Sequence, residues 1–285
     1  MAFVVAPNGD VFEAERWGLH IEAIKKLAVQ LKGMWKRFHH LFKGKTGRDT
    51  SENAFIYLRA LLTMESKRNY AEIARRIISI EDDGQNLQQF MSDSPWETVP
   101  VFKQIQEEII GHPQMHGGTL TLDESGDRRH GEKRAGAGRQ YVGNLGKVEQ
   151  SQVGVVLGYY QVGIWTMVDA ELYLPIDWFD EGHAQLRKRW YIPDEREFKT
   201  KPQIGLEMIK RAKANRLPFQ SVLCDCVYGC DTEFRAGLND ENILYVADIR
   251  VTTPIYLNRP VVGIPETPDG RPGRPFSRYQ VLSDD

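Results

Sequence analysis

Two aspartates, Asp123 and Asp225, each follow a short apolar segment with the composition of a β-strand. The segments read Leu-Thr-Leu-Asp and Ser-Val-Leu-Cys-Asp. If the strands are neighbours, the carboxylates converge, and two carboxylates a few ångströms apart repel unless a cation lies between them. Mg²⁺ or Mn²⁺ prefers such oxygen ligands, and a pair of these ions supports phosphodiester displacement. Each aspartate taken alone is also compatible with a turn or a helix cap.

The segment between these aspartates is basic and rich in glycine. Residues 127–147 contain six Lys or Arg and two acids. Guanidinium groups and backbone amides can bind a phosphate backbone, so we predict DNA contacts for four of its cations: Lys133, Arg134, Arg139 and Lys147. The alternative is a mobile loop without a ligand. A dinucleotide site is excluded because Tyr141 stands where the third glycine of G-x-G-x-x-G belongs.

A second basic block lies near the N-terminus. Residues 22–48 contain eight Lys or Arg and one acid, although the net charge of the whole chain is −2. A local block of this kind can meet phosphates without making the whole protein basic. We predict that Lys36 and Arg37 contact DNA, and the alternative is a solvated helix face.

Other chemistries fit the sequence less well. Cys224, Cys226 and Cys230 are too few for a four-ligand zinc site and have no histidine nearby, so we predict that they pack as small apolar residues. The chain lacks a G-x-S-x-G elbow, and the residues after the two aspartates differ from the paired loops of aspartic proteases. A glycosidase with two carboxylates remains open, and its independence of metal would separate it from a metal-dependent nuclease.

The elements that must position the two aspartates follow a helical region. Apolar residues at intervals of three and four predict helices over 20–42, around 55–62, from Asn69 and over 95–110, the last capped by Ser94 with Pro95 at its first position. After residue 112 the pattern changes to alternation, and the predicted order is β-β-β-α-β-α-β, an α+β or α/β mixed sheet. The predicted strands are 119–123, 153–157, 164–174, 221–225 and 244–249, and the predicted helices between them are 200–215 and 231–239.

Composition divides the 285 residues into three parts. We predict an all-helical DNA-binding region over 1–115, a sheet core over 116–250 and a tail over 251–285 that is rich in proline and glycine. The sequence has neither an apolar stretch long enough to span a membrane nor a basic, apolar leader, which predicts a cytoplasmic protein.

Several ordered motifs resemble the DDE-type transposases of bacterial insertion sequences. In the N-terminal part the similar segment is 87–96, L-Q-Q-F-M-S-D-S-P-W. In the C-terminal part the similar segments are 122–126 (L-D-E-S-G), 139–143 (R-Q-Y-V-G), 152–155 (Q-V-G-V), 171–175 (E-L-Y-L-P), 200–202 (T-K-P) and 225–229 (D-x-x-Y-G). Together the motifs extend over nearly the whole chain.

This resemblance implies an RNase H-like catalytic core over 116–250, behind helices that recognise the terminal repeats of the element. It implies that Asp123 and Asp225 are the first two acids of an Asp-Asp-Glu triad. The triad would hold two Mg²⁺ or Mn²⁺ ions, hydrolyse the transposon end and join the freed 3′-hydroxyl to target DNA. The resemblance also implies that the basic 127–147 segment lies along DNA and that the protein works as a homodimer in the bacterial nucleoid.

The third acid of such a triad is expected on a helix beyond the last strand, where this sequence shows no helical pattern. Glu266, Asp269, Asp284 and Asp285 lie in the proline- and glycine-rich tail, and none of them is assigned. We therefore expect the front part of a longer transposase, with an incomplete core and a tail that begins an insertion. The alternative function is an inactive transposase remnant that only binds DNA.

Overall fold

The structure is a computed structural model that describes residues 3–5, 11–13, 20–44, 47–94, 96–131, 133–253, 258–266 and 276–282. Helices account for most of the described residues before Gly111, and a mixed sheet with further helices follows. Within the described residues, no helix is both long enough and apolar enough to cross a membrane.

In the N-terminal part of the fold, the described residues form five α-helices: α1 (Ile21–Phe38), α2 (Ser51–Thr63), α3 (Tyr70–Ile77), α4 (Gln85–Asp93) and α5 (Thr98–Ile110). A 3-10 turn over His39–Phe42 continues α1. The predicted start of α3 is confirmed, since the Asn69 side chain accepts a hydrogen bond from the Glu72 amide at 2.9 Å.

The structure corrects the predicted start of the fourth helix. Ser94 ends α4, a nine-residue helix that is too short to show a clear period in the sequence. The following helix, α5, starts at Thr98 and is preceded by Glu97. The prediction of a cap at Ser94 is therefore wrong, and Pro95 lies outside the described residues.

The N-terminal region also contains a strand pair, so the prediction of an all-helical region is wrong in this detail. Strands β1 (Phe3–Val5) and β2 (Val11–Glu13) pair antiparallel. Valine and phenylalanine favour extended backbone.

A small apolar core joins α2, α3 and α4. Its buried members are Ala60, Met64, Ile73, Ala74 and Leu87. The first helix is joined to α5 by Arg37, whose guanidinium donates hydrogen bonds to both carboxylate oxygens of Glu108 at 2.5 and 2.6 Å. One cation of the basic block therefore connects two helices of the fold.

The main sheet has six strands within the part of the chain that the structure describes: β3 (Gly118–Arg128), β4 (Gly138–Val142), β5 (Lys147–Gln161), β6 (Ile164–Leu172), β7 (Phe219–Cys224) and β8 (Tyr245–Ala247). The order across the sheet is β6-β5-β3-β7-β8, and β4 pairs with the first part of β5 on the same edge as β6. β5 is antiparallel to β3, β4 and β6, whereas β7 is parallel to β3 and β8. The predicted RNase H-like mixed sheet is confirmed.

After β6, the described residues form four α-helices: α6 (Ala184–Arg189), α7 (Lys201–Ala214), α8 (Cys226–Gly229) and α9 (Thr232–Asp240). A capping box starts α7, because the Thr200 hydroxyl accepts from the Gln203 amide while the Gln203 side chain accepts from the Thr200 amide. This box fixes the position at which α7 begins beside the sheet.

Only one face of the sheet is covered by α5, α7 and α9 within the described residues. The buried side chains on that face include Leu120, Leu122, Val155, Leu157 and Val222. Successive residues of a strand point to opposite faces. The other face therefore carries the residues between them, among them the exposed Asp123, Trp165 and Leu223.

The described residues of the glycine-rich segment 127–147 include parts of three strands, which the loop alternative does not predict. β3 continues through Arg128, and β4 pairs with β5 in the register Gly138 to Ser151. Gln140 and Val142 of β4 are buried, whereas Tyr141 is 61% exposed. The alternation is only five residues long and lies among glycines, so the sequence pattern did not reveal this strand.

Two further strands, β9 (Val262–Gly263) and β10 (Gln280–Val281), pair antiparallel in the tail. The described residues of the tail contain no helix. The extended character predicted for this part of the chain agrees with these strands, and the three-part domain division stays a prediction.

Candidate active site

Strands β3 and β7 lie side by side and bring Asp123 and Asp225 together. Their parallel register pairs Leu122 with Cys224, and an aspartate follows each of these two residues: Asp123 within β3 and Asp225 directly after β7. Ligand oxygens of the two carboxylates lie within 4.8 Å of each other. Asp123 is exposed and Asp225 is partly buried, so a ligand can reach the pair from solvent.

Glu124 adds a third carboxylate, which the alternation of the strand did not predict. One of its oxygens lies within 4.8 Å of those of Asp123 and Asp225, and we call these three residues the acidic cluster. Strand alternation directs Glu124 and Asp123 to opposite faces, which argues against a common site. The longer Glu124 side chain nevertheless reaches the cluster. The sequence signal that could have indicated Glu124 is its position directly after Asp123.

Lys201, the first residue of α7, is the basic partner of the acidic cluster. Its Nζ lies 2.6 Å from Oε1 of Glu124, and the two side chains are only 18% and 17% exposed. The same ammonium lies 5.5 Å from the centre of the Tyr173 ring. One ammonium beside three carboxylates leaves a net negative charge, which attracts a cation.

Asp225 also has a structural role. Its Oδ1 accepts a hydrogen bond from the Val227 amide at 2.9 Å and caps α8. The other end of this short helix is Gly229, which packs against the end of β8. A Cβ on Gly229 would overlap the carbonyl oxygen of Asp248 and would lie 3.0 Å from the Cβ of Ala247. The close contact of α8 with β8 therefore requires glycine.

Tyr228 is fully buried beside the acidic cluster. Its hydroxyl makes no hydrogen bond among the described residues. Burial raises the pKa of Tyr228, and the negative charges of Glu124, Asp225 and Asp123 raise it further. The hydroxyl therefore stays protonated, so it is a neutral potential donor beside the carboxylates.

The donor set of the acidic cluster fits a hard divalent cation. All three side chains offer carboxylate oxygens close to one another, and Mg²⁺ and Mn²⁺ favour oxygen ligands. Magnesium also binds with few protein carboxylates and takes its remaining ligands from water and phosphate. The exposure of Asp123 leaves room for such ligands.

The three cysteines do not contribute to the cluster. Cys224 is buried in the core, and burial, followed by the charges of Asp225 and Asp248, raises its pKa to about 11. The buried position of Cys224 agrees with the predicted apolar packing. The prediction is wrong for Cys226, which is exposed, because this residue starts α8 beyond the end of β7.

The four cations predicted in the 127–147 segment separate into two groups. Lys133 and Arg134 line a cleft of about 1010 Å³. Arg139 on β4 and Lys147 at the start of β5 are exposed at the edge of the sheet. Lys147 lies 2.8 Å from Glu149, and this hydrogen bond is the main cause of the lowered pKa of Glu149.

Lys36 and Arg37 lie at the end of α1, as the helical pattern predicts. Lys36 is exposed. Arg37 is held by Glu108, and the hydrogen bonds between them raise the pKa of Arg37. A phosphate would have to compete with Glu108 for Arg37, whereas Lys36 is directly accessible.

Among the described residues of the tail, no acid joins the acidic cluster. Glu266 is exposed in the tail and is absent from the acidic cluster. Asp269, Asp284 and Asp285 lie outside the described residues.

Comparisons with known proteins bear on the same part of the chain. A family model described as DDE superfamily endonuclease matches residues 38–285. A probable transposase for insertion sequence element IS701 from Microchaete diplosiphon is 30% identical over 206 residues, which are 70% of this chain and 49% of the relative. The chain thus spans about half the length of this curated relative. The resemblance inferred from the motifs is confirmed, and the chain belongs to the DDE superfamily endonucleases.

Proposed function

We propose that the chain carries the metal-binding part of an insertion-sequence transposase that cuts and joins DNA. The observation that supports this function most directly is the acidic cluster, where the register of two parallel strands places Asp123 beside Asp225. The family match and the similarity to a probable transposase make DNA the expected substrate. Terminal-repeat recognition by the N-terminal helices and a homodimer on DNA belong to the same proposal.

Asp123 and Asp225 would hold divalent cations, Mg²⁺ or Mn²⁺, through their carboxylate oxygens. When bound, a pair of such cations activates an attacking oxygen and stabilises the leaving oxygen of a phosphodiester. The chain itself orients the two carboxylates through β3 and through the cap of α8. Lys201 keeps Glu124 in place and adds a positive charge next to the position that a DNA phosphate would approach.

The exposed cations would bind the DNA backbone outside the acidic cluster. Arg139 and Lys147 lie on the strand pair β4–β5, and Lys36 lies on α1. Phosphate contacts of this kind set the position of DNA without reading its sequence. Arg37 would take part only after release from Glu108.

A supercoiled-plasmid nicking assay with Mg²⁺ tests the enzyme function. We expect nicking by the wild-type chain and none by Asp123→Ala or Asp225→Asn, since the latter keeps the oxygen that caps α8 and loses the charge. Asp127→Ala is the matched control, because Asp127 is on the same strand, is ion-paired with Arg129 and is outside the cluster. Equal nicking by the wild-type chain and Asp123→Ala would refute the metal-binding role of the cluster.

The inactive remnant is the second candidate. The ion pair of Glu124 with Lys201 favours it, because this pair already occupies one carboxylate of the acidic cluster. Among the described residues, the other two carboxylates, Asp123 and Asp225, have no basic partner within 4.0 Å. A remnant would bind DNA with a steep loss of affinity as salt rises and would nick no plasmid. Isothermal titration with Mn²⁺ would show whether the cluster still binds a cation.

A further inference from the structure

A cleft separate from the acidic cluster lies between the helical region and the sheet core. It has a volume of about 1010 Å³. One wall is formed by Tyr70, the first residue of α3, and by Gln88 and Ser92 of α4. The other wall is formed by the segment that follows β3 and by the end of α6. No residue of the acidic cluster lines it.

The electrostatic character of this cleft is positive. Lys133, Arg134 and Arg189 line it together with His130, and all four side chains are exposed. No Asp or Glu is among the described residues of the lining. Three permanent cations around one concave surface attract phosphate groups.

The cleft also offers an aromatic surface. Trp190 is 41% exposed, and its indole Nε1 donates a hydrogen bond to the carbonyl oxygen of Lys133 at 2.5 Å. This bond joins α6 to the basic segment. The Arg189 guanidinium lies 5.6 Å from the centre of the Trp190 ring, so an aromatic plane and a cation are next to each other. Unstacked bases bind such pairs by stacking and by cation–π attraction.

The second half of β3 lies between the acidic cluster and the cleft. Asp123 lies in the middle of β3, and the strand ends at Arg128, just before the lining residues His130 and Gly131. Five residues of strand extend about 17 Å at ~3.3 Å per residue. This length corresponds to about five steps of stacked DNA at ~3.4 Å each. A DNA strand cut at the cluster could therefore reach the cleft several nucleotides from the cut.

We propose that the cleft binds an unstacked nucleotide of a DNA strand whose scissile phosphate lies at the acidic cluster. Lys133 and Arg134 hold the phosphates, and Trp190 and Arg189 stack on the base. Gln88 on the opposite wall offers an amide that can hydrogen-bond a base edge. The inference rests on the proposed function only in that DNA is the ligand.

Fluorescence anisotropy with a labelled single-stranded oligonucleotide tests the cleft directly. The full chain is titrated in EDTA, so that binding does not depend on the acidic cluster, and the duplex of the same sequence is compared. We expect Trp190→Ala to weaken single-strand binding by at least about five-fold, the lower limit for loss of one stacked base. Duplex binding should change by less. Tyr279→Ala is the control, since Tyr279 is 74% exposed and does not line the cleft.

Trp190→Phe separates stacking from a structural role of the indole. Phenylalanine keeps an aromatic plane and loses the hydrogen bond to Lys133, so it should retain most of the affinity that alanine loses. Equal losses with phenylalanine and alanine would overturn the proposal, as would unchanged single-strand binding by Trp190→Ala. Equal weakening of single-strand and duplex binding would contradict an unstacked nucleotide.

Two charge variants test the phosphate contacts. Arg134→Gln should reduce the slope of log affinity against log salt by about 0.7, as expected for one phosphate contact on a single strand. Lys210→Gln is the control, because Lys210 lies on α7, 3.8 Å from Glu241 and outside the cleft. An unchanged slope with Arg134→Gln would contradict the assignment. Plasmid nicking is measured separately, so failure of the proposed enzyme function and failure of the cleft give different results.

Discussion

Replacement of Gly229 by alanine tests whether the contact of α8 with β8 positions Asp225. A Cβ at this position would overlap the backbone carbonyl of Asp248 and would lie 3.1 Å from its carbon. Backbone cannot rotate out of the way as a side chain can, so α8 and β8 must separate. Overpacking of this kind costs about 1–3 kcal/mol, and a backbone overlap belongs at the upper end. The helix propensity of alanine returns at most about 1 kcal/mol.

We therefore expect Gly229→Ala to lower the free energy of unfolding by about 2 kcal/mol, or the Tm by roughly 4–8 °C. Gly33→Ala is the matched control, because Gly33 lies inside α1 with no atom within 4 Å of an added Cβ. The same change there should stabilise the helix by up to about 1 kcal/mol. Urea unfolding followed by circular dichroism measures both variants.

The same variant should affect cation binding, because Asp225 caps the helix that must move. Isothermal titration with Mn²⁺ should show weaker binding by Gly229→Ala and unchanged binding by Gly33→Ala. The reasoning is refuted if Gly229→Ala unfolds at the same urea concentration as the wild-type chain, or if it is stabilised to the same extent as Gly33→Ala.

Three further predictions concern groups outside the site. Hydrogen bonds from the first residue of α2, with smaller contributions from Lys43, lower the pKa of Asp49 to about 2. A lowered carboxyl pKa stabilises the fold above its unfolded value of about 4, so the stability gap between the wild-type chain and Asp49→Ala should shrink from pH 4 to pH 2; a constant gap contradicts this. Iodoacetamide should label the exposed Cys226 long before Cys224, whose pKa is raised to about 11, as mass spectrometry of the native chain would show. Arg37→Ala and Glu108→Ala should each lower the Tm slightly, and the double variant should lose less than their sum; additive losses would show that the pair does not interact.

Local sequence signals indicated two of the three residues of the acidic cluster. The apolar run before Asp225 ends with β7, whereas β3 continues past Asp123 to Arg128, so the predicted strand end at residue 123 is wrong. The two aspartates still meet, because Leu122 and Cys224, the residues before them, are paired in the parallel register. Capping residues were informative at two helix starts, although the predicted cap at Ser94 was wrong. Asn69 and Thr200 each satisfy a backbone amide at a helix start, a local interaction that depends on few other residues.

Features that depend on distant contacts were less visible. Glu124 joins the cluster because its side chain is longer than that of aspartate, and its carboxylate is ion-paired with Lys201 from another element. The strand β4 exists because β5 supplies its hydrogen-bond partners, which a five-residue pattern among glycines cannot reveal. Arg37 looked like a free cation since its partner Glu108 is far along the chain.

The cap that Asp225 provides for α8 has a consequence for which substitutions the fold accepts. Position 225 needs a side chain that can accept the hydrogen bond of the Val227 amide, such as asparagine or serine. Asp123 accepts a hydrogen bond only from the adjacent Glu124 amide among the described residues. Alanine at position 123 should therefore cost the fold less than alanine at position 225, although both changes remove one carboxylate from the acidic cluster.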